Sequence, residues 1–270
     1  MAREEPVDIV IACCRDESDI IVPFIDFYLD QRFDWVCLVD NGSQDDTVTR
    51  VLGHPRERHL RLHRDPRPGY DMRLLEYSQM FEGLASRWVF FVDVDEFVPI
   101  PGGVKSFAAQ LPPEVTVLEL RTAEMIPVEG RAPLATTRRD MTAQDETKVV
   151  WKAGVATKIY CGKHAIEGDP MVRHRDERLL IRHFHTRSES QFRRKLQNRI
   201  DTEAAIQRMP GLADQLSAFP VEERAAWIAE SKEMLEADGW NRERERLARA
   251  PWVEDAAVRD WYCGRNRRTG

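Results

Sequence analysis

The chain opens on an apolar run from Val7 to Cys14, interrupted only by Asp8. Continuous apolar runs of that length predict a strand buried on both faces. Polar Arg15, Asp16, Glu17 and Ser18 follow. A helix is then predicted from about Asp19 to Gln31, because Ile20, Ile21, Phe24, Ile25 and Tyr28 return at helical spacing. Trp35 to Val39 predicts a second strand, closed by the turn-forming Asp40-Asn41-Gly42-Ser43. A short helix over Thr47 to Leu52, a third strand over His59 to His63 and a Pro/Gly loop over 64–69 come next. Tyr70 to Ser86 predicts a helix with Leu74, Tyr77, Phe81 and Leu84 on one face. Trp88 to Val92 is the most apolar strand of the chain and stops at Asp93.

Strand and helix alternating at this spacing imply βαβ crossovers, hence an α/β fold with a mainly parallel sheet flanked by helices. Ligands of such sheets collect at the carboxyl ends of the strands. Residues 15–18, 40–43 and 93–96 all fall at such ends, so three polar clusters are expected on one edge. After Pro99-Ile100-Pro101-Gly102-Gly103 the pattern loosens. Val115 to Leu120 and Leu179 to His185 predict strands, and 142–163 reads as loops and short strands. From about Ser188 the chain reads as helical to its end, with breaks at Pro210-Gly211, Phe219-Pro220 and Ala250-Pro251. The expected division is a sheet domain over 1–187 and a helical C-terminal extension over 188–270. In that extension Trp227, Ile228, Leu235, Trp240 and Leu247 are the expected packing residues.

Composition narrows the class. A formal charge of -6 over 270 residues argues against a dedicated nucleic-acid surface, and the terminal Arg265-Asn266-Arg267-Arg268 reads as a solvated tail. No stretch approaches the roughly 18 apolar residues of a membrane span, and no signal peptide is expected. A peripheral visit to a membrane, to meet a lipid-linked acceptor, stays compatible with this. Five cysteines form no even framework, and Cys13, Cys14 and Cys37 fall in predicted buried strands. Reduced thiols in a cytoplasmic protein are the expectation.

The candidate chemistry lies in Val92-Asp93-Val94-Asp95-Glu96-Phe97. Acids beside a buried apolar strand are costly unless something positive compensates them. Residues two apart on an extended backbone project to one side, so Asp93 and Asp95 are expected to share a divalent cation. Hard oxygen ligands suit Mn²⁺ or Mg²⁺ bridging the phosphates of a nucleotide. Such an ion would neutralise a departing diphosphate. The plain alternative is that these acids end a strand and cap the next turn.

Three stretches, Ile11 to Glu17, Val39 to Thr47 and Phe91 to Phe97, resemble glycosyltransferase family 2 and its relatives of GT-A fold. A weaker fourth runs from His183 to Ser188, with Phe192 and Lys195 after it. The resemblance implies metal-assisted transfer of a sugar from a nucleoside diphosphate, of UDP or GDP type, to the hydroxyl of a glycan or lipid-linked acceptor. It places the nucleotide across the first strands, with Asp40 and Asn41 at the base or ribose. Cys13, Arg15 and Glu17 would border that pocket, Arg73 or Arg67 would reach the phosphates, and Asp93 with Val94 would line the donor. The plainer reading of 40–46 is an Asx turn capping the helix at Thr47.

Relatives of this fold often complete a metal site with a late histidine, which points to His183 and, one strand step on, His185. His164 is a further candidate for phosphate or metal, and Arg187 and Lys195 are candidate phosphate partners. Family 2 enzymes invert the anomeric centre with a carboxylate base. Their usual Glu-Asp pair has no match here, which leaves Glu124, Asp145 and Glu146 as candidates.

Three other readings compete: a silent nucleotide-sugar-binding module, a sugar nucleotidylyltransferase and a haloacid-dehalogenase-like phosphatase. The nucleotidylyltransferase expects a Gly-rich loop after the first strand, where Cys13-Cys14-Arg15-Asp16-Glu17 stands instead. The phosphatase expects its acid pair near the N-terminus.

Overall fold

The computed structural model describes residues 6–84, 87–141, 144–209, 221–236 and 238–269, without the side chains of 71, 72, 144–146, 161, 221–224 and 266–269. The chain forms two compact units. The first is residues 1–122 with 144–182, and the second is 123–143 with 183–270.

The first unit is built on β1 (Ile9–Cys14), β2 (Trp35–Asp40), β3 (Leu60–Arg64) and β4 (Trp88–Asp93), linked through α1 (Ile21–Asp30), α2 (Thr47–Leu52) and α3 (Leu74–Glu82). These strands lie in the order β3-β2-β1-β4, all parallel. The α/β class expected from the sequence is observed. Beyond β4 the sheet turns antiparallel, through β8 (Gln144–Lys152) and the first part of β6 (Val117–Ile126). Short β5 (Glu96–Phe97) pairs with β11 (Arg173–His183), which also pairs with β6. Helix α4 (Gly103–Ala108) and the antiparallel hairpin of β9 (Ala156–Ile159) and β10 (Ile166–Gly168) complete the unit.

The core explains why these segments form strands. On one side of the sheet Ile9, Ile11, Val89, Phe91, Val149 and Trp151 pack with Tyr77 and Phe81 of α3 and with Ile159 and Ile166 of the hairpin. Elsewhere in the unit Phe24, Phe27, Tyr28, Phe33, Phe90 and Phe97 form a chain of tilted and edge-to-face ring pairs, an arrangement favoured by the ring quadrupole. Asp8, the polar break in the first apolar run, is fully buried. Its carboxylate pairs with the Arg87 guanidinium and accepts from the Trp88 amide at 3.2 Å. Burial raises the Asp8 pKa against the pull of Arg87. Cys13, Cys14 and Cys37 are buried thiols, and burial pushes the Cys37 pKa up to about 12.

Two predicted spans differ from the observed ones. Residues 144–152, inside the span expected to hold loops and short strands, form one nine-residue strand, because Val149, Val150 and Trp151 are buried behind a polar beginning. Strand β11 starts at Arg173, six residues earlier than expected, and ends at His183. Its first residues are charged on account of their exposure, and they pair with Glu119 of β6 through Arg173 and Arg175.

The second unit holds the last four residues of β6, β7 (Arg138–Asp140), α5 (Glu189–Gln207), α6 (Val221–Leu235), α7 (Gly239–Arg249), β12 (Trp252–Glu254) and α8 (Ala257–Thr269). Helix α5 starts at Ser188, whose hydroxyl accepts from the Gln191 amide, a side-chain N-cap. Helix α7 stops before Pro251, as expected. Strand β12, pairing antiparallel with β7, interrupts the expected helical run. The breaks at 210–211 and 219–220 lie outside the described residues. Of the expected packing residues Leu247 is buried, whereas Trp227 is 52 % exposed, with Arg199 stacked 4.9 Å from its ring centre. Among the described residues no helix is long and apolar enough to cross a membrane.

Candidate functional site

The chain passes from β1 outward through β2 to β3 and then returns to the other side of β1 as β4. That reversal makes a crevice at the carboxyl ends of β1 and β4, the usual ligand position in an open α/β sheet. Cys13 and Asp93 are register partners across it, and Cys14 is the partner of Asp40 on the other flank. The fold is GT-A-like. The strands that alternate with helices, β3-β2-β1-β4, are parallel as expected, and the strands added beyond β4 are antiparallel.

The loops after β1 and β2 of this GT-A-like sheet are laced together. Ser43 Oγ accepts from the Asp16 amide at 3.0 Å and Thr47 Oγ1 from the Glu17 amide at 2.9 Å. Asp16, in the left-handed region at φ 57°, accepts in turn from the Gln44 amide at 2.7 Å. Asp40 is wholly buried; it accepts from the Ser43 amide at 3.0 Å and from Arg64 Nε at 3.2 Å. The expected Asx-type turn is present, and its capping carboxylate is that of Asp45, which accepts from the Thr47 amide at 2.9 Å.

A residue that hydrophobic spacing does not single out organises the next loop. Asp65, buried, accepts from Arg67 Nε at 2.8 Å, Arg73 Nε at 3.1 Å and the Tyr77 hydroxyl at 2.7 Å. The Arg67 hydrogen bond is the main reason its pKa lies below the usual carboxylate range. Asn41 Nδ2 donates to the carbonyls of Asp65 at 2.7 Å and Arg67 at 3.0 Å. Arg73 spends its remaining donors on the carbonyls of Pro68 and Arg67. Arg67 keeps an exposed guanidinium.

At the end of β4 the expected metal corner contains two lysines. Lys148, from β8, and Lys163, from the loop of the β9–β10 hairpin, each pair with one oxygen of Asp93. Lys148 Nζ also lies 2.7 Å from Glu96 Oε1, and Glu96 Oε2 accepts from the Asp93 amide at 2.8 Å. The Lys163 and Lys148 side chains are 1 % and 6 % exposed, against 30 % for Asp93. Burial raises the pKa of Asp93, but the two ammonium groups outweigh it and hold the carboxyl well below its ordinary value. Burial opposes the charge on both lysines, and Asp93 overcomes it, so both pKa values rise. Asp95 is buried beside them.

Local backbone delivers Lys163. Gly162 and Lys163 both have positive φ, 67° and 60°, a left-handed pair that folds the hairpin loop back. For a lysine this conformation costs about 1 kcal/mol. His164 Nδ1 lies 2.8 Å from the Thr147 carbonyl of β8, one residue before Lys148. The histidine tethers the loop to the strand that supplies the other lysine.

These lysines decide how well a divalent ion fits. Both oxygens that Asp93 would offer are held by ammonium groups, and a dication at the same oxygens meets their repulsion. Among the described residues no group of three or more His, Cys, Asp or Glu side chains is disposed to hold a metal ion. The donor set as it stands does not fit one.

His183 and His185 belong to the second unit, with rings 5.3 Å apart. His185 Nε2 lies 3.4 Å from Arg199, and the His185 carbonyl accepts from Lys195 at 3.4 Å. Arg187 is buried and donates to the Phe184 carbonyl at 3.3 Å. Glu124, also in this unit, is buried and paired with Arg246 at 3.1 Å; burial raises its pKa against that pairing. Arg246 further pairs with Glu243, which accepts from the Thr186 hydroxyl at 3.0 Å. The side chains of Asp145 and Glu146 lie outside the described residues. A cleft of about 550 Å³ in the second unit is lined by Asp140, Arg242, Arg246 and Arg249, each arginine paired with a glutamate.

No known family model matches the chain, and no curated protein does. Among solved structures it is similar to TarS 1-349 of S. aureus, at 15 % identity and TM-score 0.43, over 83 % of this chain and 70 % of that one. It is similar to glucosyl-3-phosphoglycerate synthase from Mycobacterium tuberculosis in complex with Mn²⁺, UDP and phosphoglyceric acid, at 13 % identity and TM-score 0.41, over 74 % and 77 % of the two chains. A mycobacterial protein gives 16 % identity and TM-score 0.40 over 69 % of each chain.

Proposed function

We propose that this chain is a glycosyltransferase that moves a sugar from a nucleoside diphosphate, of UDP or GDP type, to an acceptor hydroxyl. One observation carries the reading. The polar ends of β1, β2 and β4 meet at the point where the strand order reverses, with Asp40 and Asp93 on the two flanks of β1. In-line attack by the hydroxyl breaks the bond from the anomeric carbon to the diphosphate, leaves the electron pair on the phosphate oxygen and inverts the centre. In this reading Asp40 takes the nucleoside, and Arg67, held in place by Asp65, faces the diphosphate. A glycan or lipid-linked glycan is the acceptor by analogy of fold alone. The base is left unassigned, because Glu124 is already paired with Arg246.

The test is release of nucleoside diphosphate from UDP- and GDP-sugars during incubation with candidate acceptors. Turnover abolished by Asp93→Asn supports the reading, and turnover unaffected by it overturns it. A binding module without turnover is the second reading, favoured by the engagement of both Asp93 and Glu124 in ion pairs. Tight nucleotide binding with no release of product would select it.

A further inference from the structure

We propose that Lys163, with Lys148, takes the place of a divalent ion at Asp93, so that nucleoside diphosphates bind this chain without metal. The proposal rests on the donor reading above and names how that site manages charge.

Three features support it. The acids at the end of β4 are compensated from within the chain: Asp93 by both lysines and Glu96 by Lys148. The carboxylates of Asp93 and Glu96 therefore face two ammonium groups before any ligand arrives. The ammonium groups also arrive from separate elements. Lys148 projects from a strand antiparallel to β4, and Lys163 from a hairpin loop seventy positions along the chain from Asp93. A single surface lysine turning inward would not produce this. Finally, the loop adopts the left-handed region at two successive residues and fixes itself to β8 through His164. Backbone strain at a non-glycine persists where the surroundings enforce it, and here it aims one ammonium group at one carboxylate.

A dication and Lys163 are then alternatives at the same oxygen. In the wild-type chain the lysine is already in place; with Lys163 removed, one oxygen of Asp93 is released for Mn²⁺ or Mg²⁺ while Lys148 keeps the other.

The experiment is calorimetric titration of the full chain with UDP and GDP, in EDTA and in Mn²⁺. The expected result is a dissociation constant that agrees within about threefold between the two buffers. Lys163→Gln should bind at least tenfold more weakly in EDTA and recover affinity in Mn²⁺, whereas Lys163→Arg should keep binding in EDTA. Wild-type affinity rising tenfold or more in Mn²⁺, reversed by EDTA, overturns the proposal. So does unchanged binding by a folded Lys163→Gln. If that variant does not fold, the wild-type comparison decides alone. Absence of binding in both buffers overturns the donor reading itself, and the proposal with it. The two failures are thus distinguishable.

Discussion

Lys163 and Asp93 form an ion pair between the loop of a hairpin and the end of the most apolar strand, and the lysine is almost wholly shielded from water. Removing water from an ammonium group costs several kcal/mol, which the pairing offsets only while the partner is present. Asp93→Asn strands Lys163 and leaves Lys148 with Glu96 as its remaining carboxylate partner. The expected loss is about 3 kcal/mol of unfolding free energy, from urea unfolding followed by circular dichroism. A loss below about 1 kcal/mol would mean that the lysines readily find water or other acids.

Asp40 allows recognition to be separated from turn structure. Asparagine at 40 still accepts from the Ser43 amide but gives up the buried oxygen that accepts from Arg64 Nε, whose guanidinium is exposed enough to turn to water. Asp40→Asn is therefore expected to cost about 1 kcal/mol of stability and to weaken nucleoside diphosphate binding about tenfold in titration. Lost stability with unchanged binding would assign Asp40 to the turn alone.

Asp65 sets a pH dependence. Its folded-state pKa lies below the ordinary aspartate value, chiefly through Arg67, with Tyr77 and Arg73 adding to it. A depressed carboxylate stabilises the fold above its unfolded pKa, and that contribution fades as pH falls through and below about 4. At pH 7 Asp65→Asn should cost about 2 kcal/mol. The gap between variant and wild type should narrow steadily from about pH 5 to about pH 2, measured by urea unfolding at each pH.

Gly168 tests the hairpin that presents Lys163. A Cβ there would lie 2.0 Å from the Val155 carbonyl oxygen, so backbone must move. Gly168→Ala is expected to cost about 2 kcal/mol and to weaken nucleotide binding although the residue carries no side chain at the site. Wild-type binding in the variant would show that the hairpin tolerates displacement.

Much of the sheet could be read from the sequence, since β1, β2 and β4 are the apolar runs that end on Cys14, Asp40 and Asp93. The edge where their polar ends gather followed from them, whereas the strand order that makes the crevice did not, because hydrophobic spacing does not say which strand pairs with which. The lysines were not readable in that way. Lys148 stands in Thr147-Lys148-Val149 and Lys163 in Gly162-Lys163-His164, where hydropathy assigns a lysine to solvent. The one available sign was energetic: several acids beside a buried strand require positive compensation, and a metal is not the only source. Asp65 escaped for a similar reason. Its partners Arg67, Arg73 and Tyr77 are spread over twelve positions and converge only in three dimensions.

The three cysteines of β1 and β2 have a practical use. A thiol with a pKa near 12, like that of Cys37, holds almost no thiolate at neutral pH, and alkylating reagents attack the thiolate. Labelling of Cys37 must therefore wait until the central strands separate. The rate at which iodoacetamide adds there, followed by mass spectrometry, becomes a clock for the opening of the sheet, and a ligand seated at the strand ends should slow it.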